Sequence, residues 1–594
     1  MKKISQLFLS FLLVLTLAGC SSKPAESGST FKAGTYTAEA MGNNAPVKVE
    51  VTVTADTIEK IVILEHKETP SISDLALSEM PTKIVEVQGL GVDTISGATV
   101  TSDAILEAVA LALEEAGADI EALKKISEKE VAKEADVEYK ADVIIIGAGG
   151  AGMAAAVTAH QEGASVIIIE KMPRVGGNTI LAGGALNAVD DGSETALANE
   201  DSVELHYNQT YEGGDKQGDP ELVRELVSNA WDGVEWLQSL GMEFKEGTFT
   251  VLGGMWPRAH KPVEPVGTGF FNAYQEYIDT NENIDLHLEV TAKEFIVKDG
   301  EVIGVVAEGK TGNKVTLHAN NGVVLATGGF GQNIEMRQEY NTIWKNLDES
   351  IKSTNHSGAT GDGIALAKTV KAQLVQMENI QLLPMGDPET GSLSGNIEMA
   401  VENRIFVNDE GNRFVDEGAR RDVMTAALFE QPNAHMWTIL DSHDYPTGDE
   451  VNNFNESMNQ LIKDKRAFKG DTLEELAEQI GVDPKNLVNA VEGFNSHVEA
   501  KTADEFGRTL YKDPINQGPY YAAARIPTVH HTMGGVKINT DAQVIGEDGN
   551  VILGLYAAGE VTGGIHGANR LGGNALTDTV VFGRIAGLSA AKNK

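Results

Sequence analysis

The chain has 594 residues, of which 42 % are hydrophobic, so it is long and apolar enough to form several domains with separate cores. It carries 87 acidic against 47 basic side chains, which gives a formal charge of -40. A field of that sign repels nucleic acid and anionic membrane surfaces, and it excludes nucleic acid as a partner. An anionic small-molecule ligand would need a local cluster of Arg and His side chains.

The N-terminus has the order of a signal peptide, which we assign to residues 1–20. Two lysines precede a mainly apolar run, residues 7–17, that is short for a membrane span. Residues 17–20, Leu-Ala-Gly-Cys, resemble the bacterial lipobox, which implies lipidation of Cys20 and an extracytoplasmic protein anchored to the cell membrane. The alternative is an ordinary signal peptide with an incidental cysteine. Residues 21–32 are rich in Ser, Gly and Pro and are predicted to be a flexible tether.

Cys20 is the only cysteine in the sequence. An internal disulfide, a Cys-x-x-Cys-His haem site and a cysteine-ligated iron–sulfur cluster are therefore excluded. We predict no haem and no metal, and electron transfer through this chain would have to use organic cofactors.

Residues 33–118 are predicted to form a small α+β domain. Val47, Val49, Val51 and Val53 alternate with polar residues, which is typical of a half-buried β-strand. An amphipathic helix is predicted over residues 102–116. The charged, Ala- and Glu-rich segment that follows, residues 119–138, is predicted to be a helical linker.

A second, larger domain is predicted to begin at residue 139. Residues 143–146 are a β-branched run, the mark of a strand buried on both faces of a parallel sheet. Similar runs that end in glycines recur at residues 322–329 and 554–560. The fold class is therefore α/β, with a Rossmann-like domain built from residues 139–377 and 526–594. Residues 378–525 are predicted to form an inserted α+β capping domain.

The first strand of this domain leads into a glycine motif, residues 147–152, that fits G-x-G-x-x-G. Glycines allow the tight turn and let a pyrophosphate approach the helix N-terminus. Glu170 ends the next strand 18 residues after Gly152, where it can accept hydrogen bonds from a ribose. FAD and NAD both use this motif. The continuation through residues 174–179 to Gly183-Gly184 resembles flavoproteins in which a glycine loop passes the isoalloxazine ring, and this favours FAD.

Residues 93–99, Asp-Thr-Ile-Ser-Gly-Ala-Thr, resemble the D-x-x-[ST]-G-A-T motif of FMN-binding domains. In those domains a transferase links the FMN phosphate to the last threonine by a phosphoester. The resemblance implies covalent FMN on Thr99 and an FMN transferase as a partner in maturation. The structural alternative is a turn followed by a helix cap.

Three segments resemble the fumarate reductase/urocanate reductase family of flavoproteins, also called flavocytochrome c-like: residues 418–422, 530–535 and 559–575. The resemblance covers residues 139–594. It implies non-covalent FAD that delivers hydride from N5 to the β-carbon of an α,β-unsaturated acid. It also implies that His530 and Arg570 bind the substrate carboxylate and that Arg421 protonates the α-carbon. The FAD-binding residues it implies are Gly147, Gly149, Ala151, Gly152, Glu170, Asn178, Thr179, Gly183, Gly184, Asp362, Glu560, Ala575 and Leu576.

The sequence departs from the fumarate reductases at the far end of the substrate site. Leu383 stands where those enzymes have a His for the second carboxylate, and Ala400 stands at the Arg of their proton relay. A buried, unpaired carboxylate is costly, so fumarate should be a poor substrate. Glu398 lies about where urocanate reductases place an acid that pairs with the imidazole. This favours urocanate or an aryl acrylate as substrate, although Glu398 is also compatible with a relay or a surface role.

The favoured hypothesis is a reductase of anaerobic respiration, with electrons from a membrane quinol or flavin donor passing through FMN to FAD. Alternatives are a fumarate reductase, a dehydrogenase related to the ketosteroid enzymes, and a flavin electron shuttle without an organic substrate. Those dehydrogenases usually use Tyr as their acid–base group and lack an FMN domain, so Arg421 argues against them. The sequence leaves open whether residues 256–262 reach the active site.

Overall fold

The computed structural model describes residues 30–43, 45–68, 72–95, 97–127 and 132–593. The predicted signal peptide, Cys20 and most of the tether lie outside the described residues, so the predictions made for them are not addressed. No helix within the described ranges is long and apolar enough to cross a membrane.

The N-terminal region is a three-stranded antiparallel sheet covered by helices. Val47, Val49, Val51 and Val53 are all buried, because alternate residues of the middle strand point into one core. The long helix begins at Thr99 rather than at the predicted residue 102. The elements are β1 (Gly34–Met41), β2 (Pro46–Val53), β3 (Ile58–Glu65), α1 (Asp74–Val87), α2 (Thr99–Glu115) and α3 (Ile120–Leu123).

The part of the predicted helical linker that the structure describes is mostly not helical. Among the described residues of the 119–138 segment, only Ile120–Leu123 form an α-helix, and a strand has already begun at Val137. Helix propensity alone does not stabilise a short, charged segment, since most helical stability in proteins comes from packing of an apolar face.

A large α/β region follows. Its elements up to the capping region are β4 (Val137–Ile146), α4 (Gly150–Gln161), β5 (Val166–Glu170), α5 (Gly177–Leu181), β6 (Leu186–Asn187), α6 (Glu194–Ala198), α7 (Val203–Gly213), α8 (Pro220–Ser228), α9 (Ala230–Ser239), β7 (Ala259–His260), α10 (Thr268–Thr280), β8 (Ile284–Leu288), β9 (Thr291–Lys298), β10 (Glu301–Glu308), β11 (Lys314–Leu325), α11 (Ile334–Tyr340), α12 (Asp362–Thr369) and β12 (Leu374–Val375).

The chain then forms the capping region and returns. The capping elements are β13 (Ile380–Gly386), β14 (Ile405–Asn408), α13 (Arg421–Phe429), β15 (Met436–Leu440), α14 (Met458–Lys463), β16 (Phe468–Gly470), α15 (Leu473–Ile480), α16 (Pro484–Ala500) and β17 (Tyr520–Thr532). The returning elements are β18 (Gly535–Lys537), β19 (Gln543–Ile545), β20 (Val551–Ala557), β21 (Thr562–Gly563) and α17 (Asn574–Lys592).

The central sheet has the order β19-β20-β11-β4-β5-β8, with β10 and β9 added beside β11. Strands β20, β11, β4, β5 and β8 are parallel, so their carboxyl ends meet at one edge. β20 joins this sheet from the far end of the chain, as the strand pattern predicted. The α/β class is thus confirmed, whereas the exact domain boundaries stay predictions.

A second sheet, with the order β13-β17-β15-β14, carries the capping region. β17 crosses the predicted boundary at residue 526 without interruption. The antiparallel register of β13 and β17 sets Gln381 opposite His531, next to His530. This pairing brings the capping sheet to the edge of the α/β region, where the predicted site residues lie.

Candidate flavin sites and active site

One continuous cavity of about 600 Å³ connects the N-terminal region, the α/β core and the capping region. Its lining includes Thr99, the glycine motif after β4, and both Arg421 and Arg570. Residues separated by several hundred positions in the chain therefore face the same space.

The glycine motif has the backbone geometry that a pyrophosphate requires. Gly147 has φ +106°, a conformation that favours glycine. A Cβ added at Gly149 would meet no protein atom within 4 Å, so the backbone there is open to the cavity. A Cβ at Gly152 would collide with the Gly147 carbonyl oxygen. Gly152 does not line the cavity, and its role is to allow the tight turn.

Glu170 ends β5 beside this turn, as expected. Its two carboxylate oxygens accept hydrogen bonds from the backbone N–H groups of Ala148 and Met172, both at 2.8 Å. Burial raises the pKa of Glu170, which these two hydrogen bonds oppose. Asp362 lies instead on a small adjoining pocket that Glu170 also lines, and it pairs with Lys171 at 2.8 Å.

The remaining residues expected to bind FAD surround the cavity. Asn178 Nδ2 donates to Glu560 Oε2 at 3.0 Å and to Asn355 Oδ1 at 2.6 Å, which joins α5 to the returning segment. The other members of this set that line the cavity are Ala151, Thr179, Gly183, Gly184, Ala575 and Leu576. The open backbone at Gly149 and the carboxylate at Glu170 fit the pyrophosphate and ribose of FAD, and these residues would bind it.

Thr99 is the first residue of α2, and its side chain is exposed to the same cavity. The N-terminus of a helix favours a negatively charged phosphate. Gly97 has φ +78°, so the turn before Thr99 uses a left-handed conformation. Thr101 donates a hydrogen bond to the buried Glu68, which positions the start of the helix. This environment fits a phosphate group on the Thr99 hydroxyl.

The two arginines expected at the substrate share one acceptor. Arg421 Nη1 and Arg570 Nη2 both donate to Gln381 Oε1, at 3.2 and 3.0 Å. The arginines are only 6 % and 3 % exposed, and Gln381 is 1 % exposed. Gln381 Nε2 in turn donates to the backbone oxygen of Arg570 at 2.8 Å. Two like charges are thus positioned side by side by one neutral amide.

Burial and like charge control the protonation of this cluster. Burial, with the Arg570 charge second, lowers the pKa of Arg421 well below its usual value. Burial lowers the pKa of Arg570 to about 10, so Arg570 remains charged at neutral pH. Burial and both arginines lower the pKa of His530, which is therefore neutral, and Thr354 Oγ1 orients its ring through Nδ1 at 2.8 Å. The cluster provides the local positive charge that an anionic ligand needs on an acidic protein.

Glu398 is buried, and it is paired with an arginine that was not predicted from the sequence. Ala400 does occupy the expected place, but Arg404 Nε donates to Glu398 Oε2 at 2.5 Å, and Arg404 is fully buried. The arginine comes from the turn just before β14 instead of from the position expected. The charge of Glu398 raises the pKa of Arg421, so the two side chains interact electrostatically. Asp422, by contrast, pairs with Arg420 at 2.7 Å.

Part of the cavity wall near Arg421 is apolar. Leu383 and Met385 of β13, together with Leu252, line it and are almost fully buried.

The sequence left open whether residues 256–262 reach the active site, and the structure answers this in part. Lys261 lines the cavity and donates to Asn453 Oδ1 at 2.9 Å, whereas Trp256 packs away from it and donates to the Asn199 carbonyl oxygen.

Three site residues had no role assigned from the sequence: Gln381, Thr354 and Arg404. Gln381 directly precedes Leu382-Leu383, and a polar residue in an apolar strand could have indicated a buried hydrogen-bonding role. Arg404 immediately precedes an apolar run, residues 405–407. This pattern could have indicated a buried Arg, which requires a partner. Thr354 carries no such signal.

Substitutions at Gly149 and Gly152 should have different effects, the first on FAD binding and the second on the stability of the protein. Gly149→Ala should leave the unfolding midpoint of the apoprotein unchanged and weaken FAD binding by about tenfold, because the new methyl group occupies the pyrophosphate space. Gly152→Ala should lower the stability of the apoprotein by about 1–3 kcal/mol, because the methyl group collides with the backbone. Thermal unfolding and FAD titration measure the two effects, and equal effects of both variants would contradict this assignment.

Removing the shared acceptor should destabilise the arginine pair. Gln381→Leu leaves two buried guanidinium groups without their acceptor, so the free energy of unfolding should fall by about 1–3 kcal/mol in urea. Gln479→Leu is the matched control, because Gln479 is exposed and donates only to the Lys469 carbonyl oxygen. A Gln381→Leu protein as stable as the control would show that the shared hydrogen bonds do not support the cluster.

Comparison with known proteins agrees with this geometry. Residues 142–576 match the FAD binding domain family, and residues 42–114 match the FMN-binding domain family. The chain is 39 % identical to NADH:acrylate oxidoreductase of Vibrio harveyi over 94 % of this chain, and it spans 61 % of that longer protein. It is 36 % identical to urocanate reductase of Eggerthella lenta over 97 % of this chain and 96 % of that protein.

Among solved structures, the open conformation of a flavocytochrome c3 fumarate reductase matches with a TM-score of 0.61. It is 36 % identical and covers 77 % of this chain and 78 % of that one. The resemblance found in the three sequence segments is therefore confirmed. The chain belongs to the fumarate reductase/urocanate reductase-like family of flavoproteins and carries an FMN-binding domain ahead of its FAD-binding domain.

Proposed function

We propose that the protein is an FAD-dependent reductase of an α,β-unsaturated carboxylic acid. The observation that carries the proposal is the convergence of Arg421, Arg570 and His530 on the cavity beside the glycine motif. An electron shuttle without an organic substrate has no use for two buried cations that share one amide. The proposal follows the class of reaction in the names of the relatives from Vibrio harveyi and Eggerthella lenta.

The cationic cluster would bind the substrate carboxylate and stabilise the charge that develops on it. FAD, when bound, supplies the hydride that reaches the β-carbon. Arg570 and neutral His530 then donate to a carboxylate that becomes an enediolate, where their hydrogen bonds strengthen in the transition state. Gln381 keeps Arg570 and Arg421 oriented without adding a competing charge.

Arg421 would donate the proton to the α-carbon. A guanidinium rarely releases a proton in water, but burial and the Arg570 charge lower the pKa of Arg421 and so make it a stronger acid. Glu398 and Arg404, joined at 2.5 Å, form the route by which Arg421 would be protonated again. Because Glu398 is already paired with Arg404, this relay role is better supported than pairing with a substrate imidazole.

The substrate is proposed to be a monocarboxylate with an apolar or aryl substituent, of the urocanate or aryl acrylate type. Leu252, Leu383 and Met385 offer no cation to a second carboxylate. Desolvation of an unpaired carboxylate against this wall costs several kcal/mol, so the alternative of a fumarate reductase is less well supported. A ketosteroid-type dehydrogenase is also less well supported, since it would use Tyr where this cluster has Arg421.

Electrons are proposed to reach FAD through FMN attached to Thr99 as a phosphoester, placed there by an FMN transferase. Thr99 and the FAD-binding residues line one cavity, which supports direct transfer between the two flavins. We further propose a membrane quinol or flavin donor and an extracytoplasmic location anchored through Cys20, with no haem. Such a protein would serve anaerobic respiration.

A substrate panel tests the reaction. With methyl viologen as donor, the flavinylated protein should reduce urocanate, cinnamate or acrylate, and turnover of fumarate should be at least tenfold lower. Arg421→Ala should lower turnover by about 10²-fold or more, because a positioned acid contributes that much to proton transfer. Arg224→Ala is the control, since Arg224 is 41 % exposed and pairs with Glu204 on the surface. Oxidation of reduced viologen followed by absorbance measures each rate.

Three outcomes would change the proposal. Fumarate turnover as fast as that of the monocarboxylates would contradict the apolar distal site. Unchanged turnover in Arg421→Ala would remove Arg421 from the chemistry. Absence of turnover with every acid would favour the electron shuttle.

The relay predicts a specific effect at Glu398. Glu398→Gln should lower kcat by about 10²-fold with little change in KM, because it interrupts reprotonation of Arg421 and leaves the carboxylate-binding groups in place. The conservative control is Glu410→Gln on the exposed surface of the capping region. A rise in KM confined to urocanate, with kcat for acrylate unchanged, would instead assign Glu398 to the substrate imidazole.

A further inference from the structure

The loop that carries Thr99 is hydrogen-bonded to Arg174 of the FAD-binding region. We propose that Arg174 is a positioning residue that docks this loop onto the FAD-binding region and thereby sets the rate of electron transfer from FMN to FAD. The inference rests on the proposed function for its electron-transfer part. The docking itself depends only on contacts within the chain.

Arg174 binds the N-terminal region at two places. Its Nη1 donates to the Ile72 carbonyl oxygen at 2.7 Å, and its Nη2 donates to the Gly97 carbonyl oxygen. Gly97 is two residues before Thr99, so the second hydrogen bond holds the turn that positions the attachment site. The negative charge of Asp74, at the start of α1, also favours the charged form of Arg174.

Gly97 is enclosed by the FAD-binding region. A Cβ added at Gly97 would collide with His356 Nε2 and lie 2.6 Å from Arg174 Nη2. A larger residue at this position would therefore displace the loop from its docked place. Burial and the charges of Arg174 and Lys171 lower the pKa of His356 to about 4, so it is neutral and does not repel Arg174 at neutral pH.

The same short segment also contacts the FAD site. Arg174 lies in the connection between β5 and α5, and Asn178 follows four residues later within α5. Asn178 Oδ1 accepts from the His356 backbone N–H at 2.7 Å, while its Nδ2 donates to Glu560 in the FAD site. The loop bearing Thr99 and the FAD-binding side chains are thus positioned by one stretch of backbone, and the separation of the flavins depends on it.

The capping region supplies a further contact, which serves as a comparison. Arg466 Nη1 donates to the Asn43 carbonyl oxygen at 3.0 Å. Arg466 also binds Glu456 and Ser394 within the capping region. Its hydrogen bond lies at the β1–β2 turn and not at the turn before Thr99. Loss of Arg466 should therefore affect docking of the Thr99 loop less than loss of Arg174.

Hydrogen exchange of the apoprotein tests the docking without any flavin. In Arg174→Ala, amide exchange over residues 97–102 should become about tenfold faster or more, because two hydrogen bonds from a charged donor are lost. Exchange of the buried amides of β2 should stay as in the wild type. Arg174→Lys, which keeps the charge and can make one of the two hydrogen bonds, should be intermediate, and Arg224→Ala should be unchanged.

Rapid-reaction kinetics of the flavinylated protein test the consequence. In Arg174→Ala, FAD reduction through FMN should slow by about tenfold or more, in proportion to the lost docked population. Oxidation of chemically reduced FAD by substrate should keep its wild-type rate, since Arg174 does not line the cavity that Arg421 and Arg570 face. The FMN content of each variant is measured first, by mass spectrometry of the peptide containing Thr99.

Wild-type exchange over residues 97–102 in Arg174→Ala would overturn the docking role. Faster exchange with an unchanged rate between the flavins would overturn the kinetic role. If Arg174→Ala does not fold, Arg174→Lys carries the same test. Absence of FMN from Thr99 in the wild type would refute the proposed electron route, while the exchange experiment would still decide whether Arg174 docks the loop.

Discussion

The active-site region depends on two buried guanidinium groups that share a single amide oxygen. Arg421 and Arg570 are both almost fully buried, and Gln381 accepts from each of them. Two like charges at such close range repel one another, and burial increases the cost of both. The arrangement is stable only if neutral acceptors and nearby carboxylates compensate, and an anionic ligand would relieve the remaining repulsion.

This constraint explains the surroundings of the cluster. His530 cannot become charged beside two arginines, so it serves as a neutral donor or acceptor. Arg421 is pushed towards proton release by the same two causes, burial and the Arg570 charge. Glu398, which is paired with Arg404, opposes that shift because its charge raises the pKa of Arg421. An acidic protein can thus have a site that attracts anions.

The cavity also determines how the flavin-binding parts are related. Thr99 and the glycine motif belong to regions with separate cores, yet they line one space. The contacts that Arg174 and Arg466 make with the N-terminal region are polar. Interfaces of that kind permit relative motion, so the positions of individual hydrogen bonds matter for the distance between the cofactors.

The sequence by itself determined the α/β class, the parallel core strands, the glycine turn, the Thr99 motif and the family, because these depend on local patterns. A β-branched run predicts a buried strand wherever it pairs, and a glycine motif encodes its own turn. The sequence did not identify Gln381 as the shared acceptor, Arg404 as the partner of Glu398, or Arg174 as the contact to the Thr99 loop. For most of the described residues between 119 and 138 the predicted helix is wrong, because propensity without packing does not stabilise one. Only the tertiary structure decided the three contacts, because the sequence pattern does not show which residues come together. Such contacts are set by how the sheets and loops pack together.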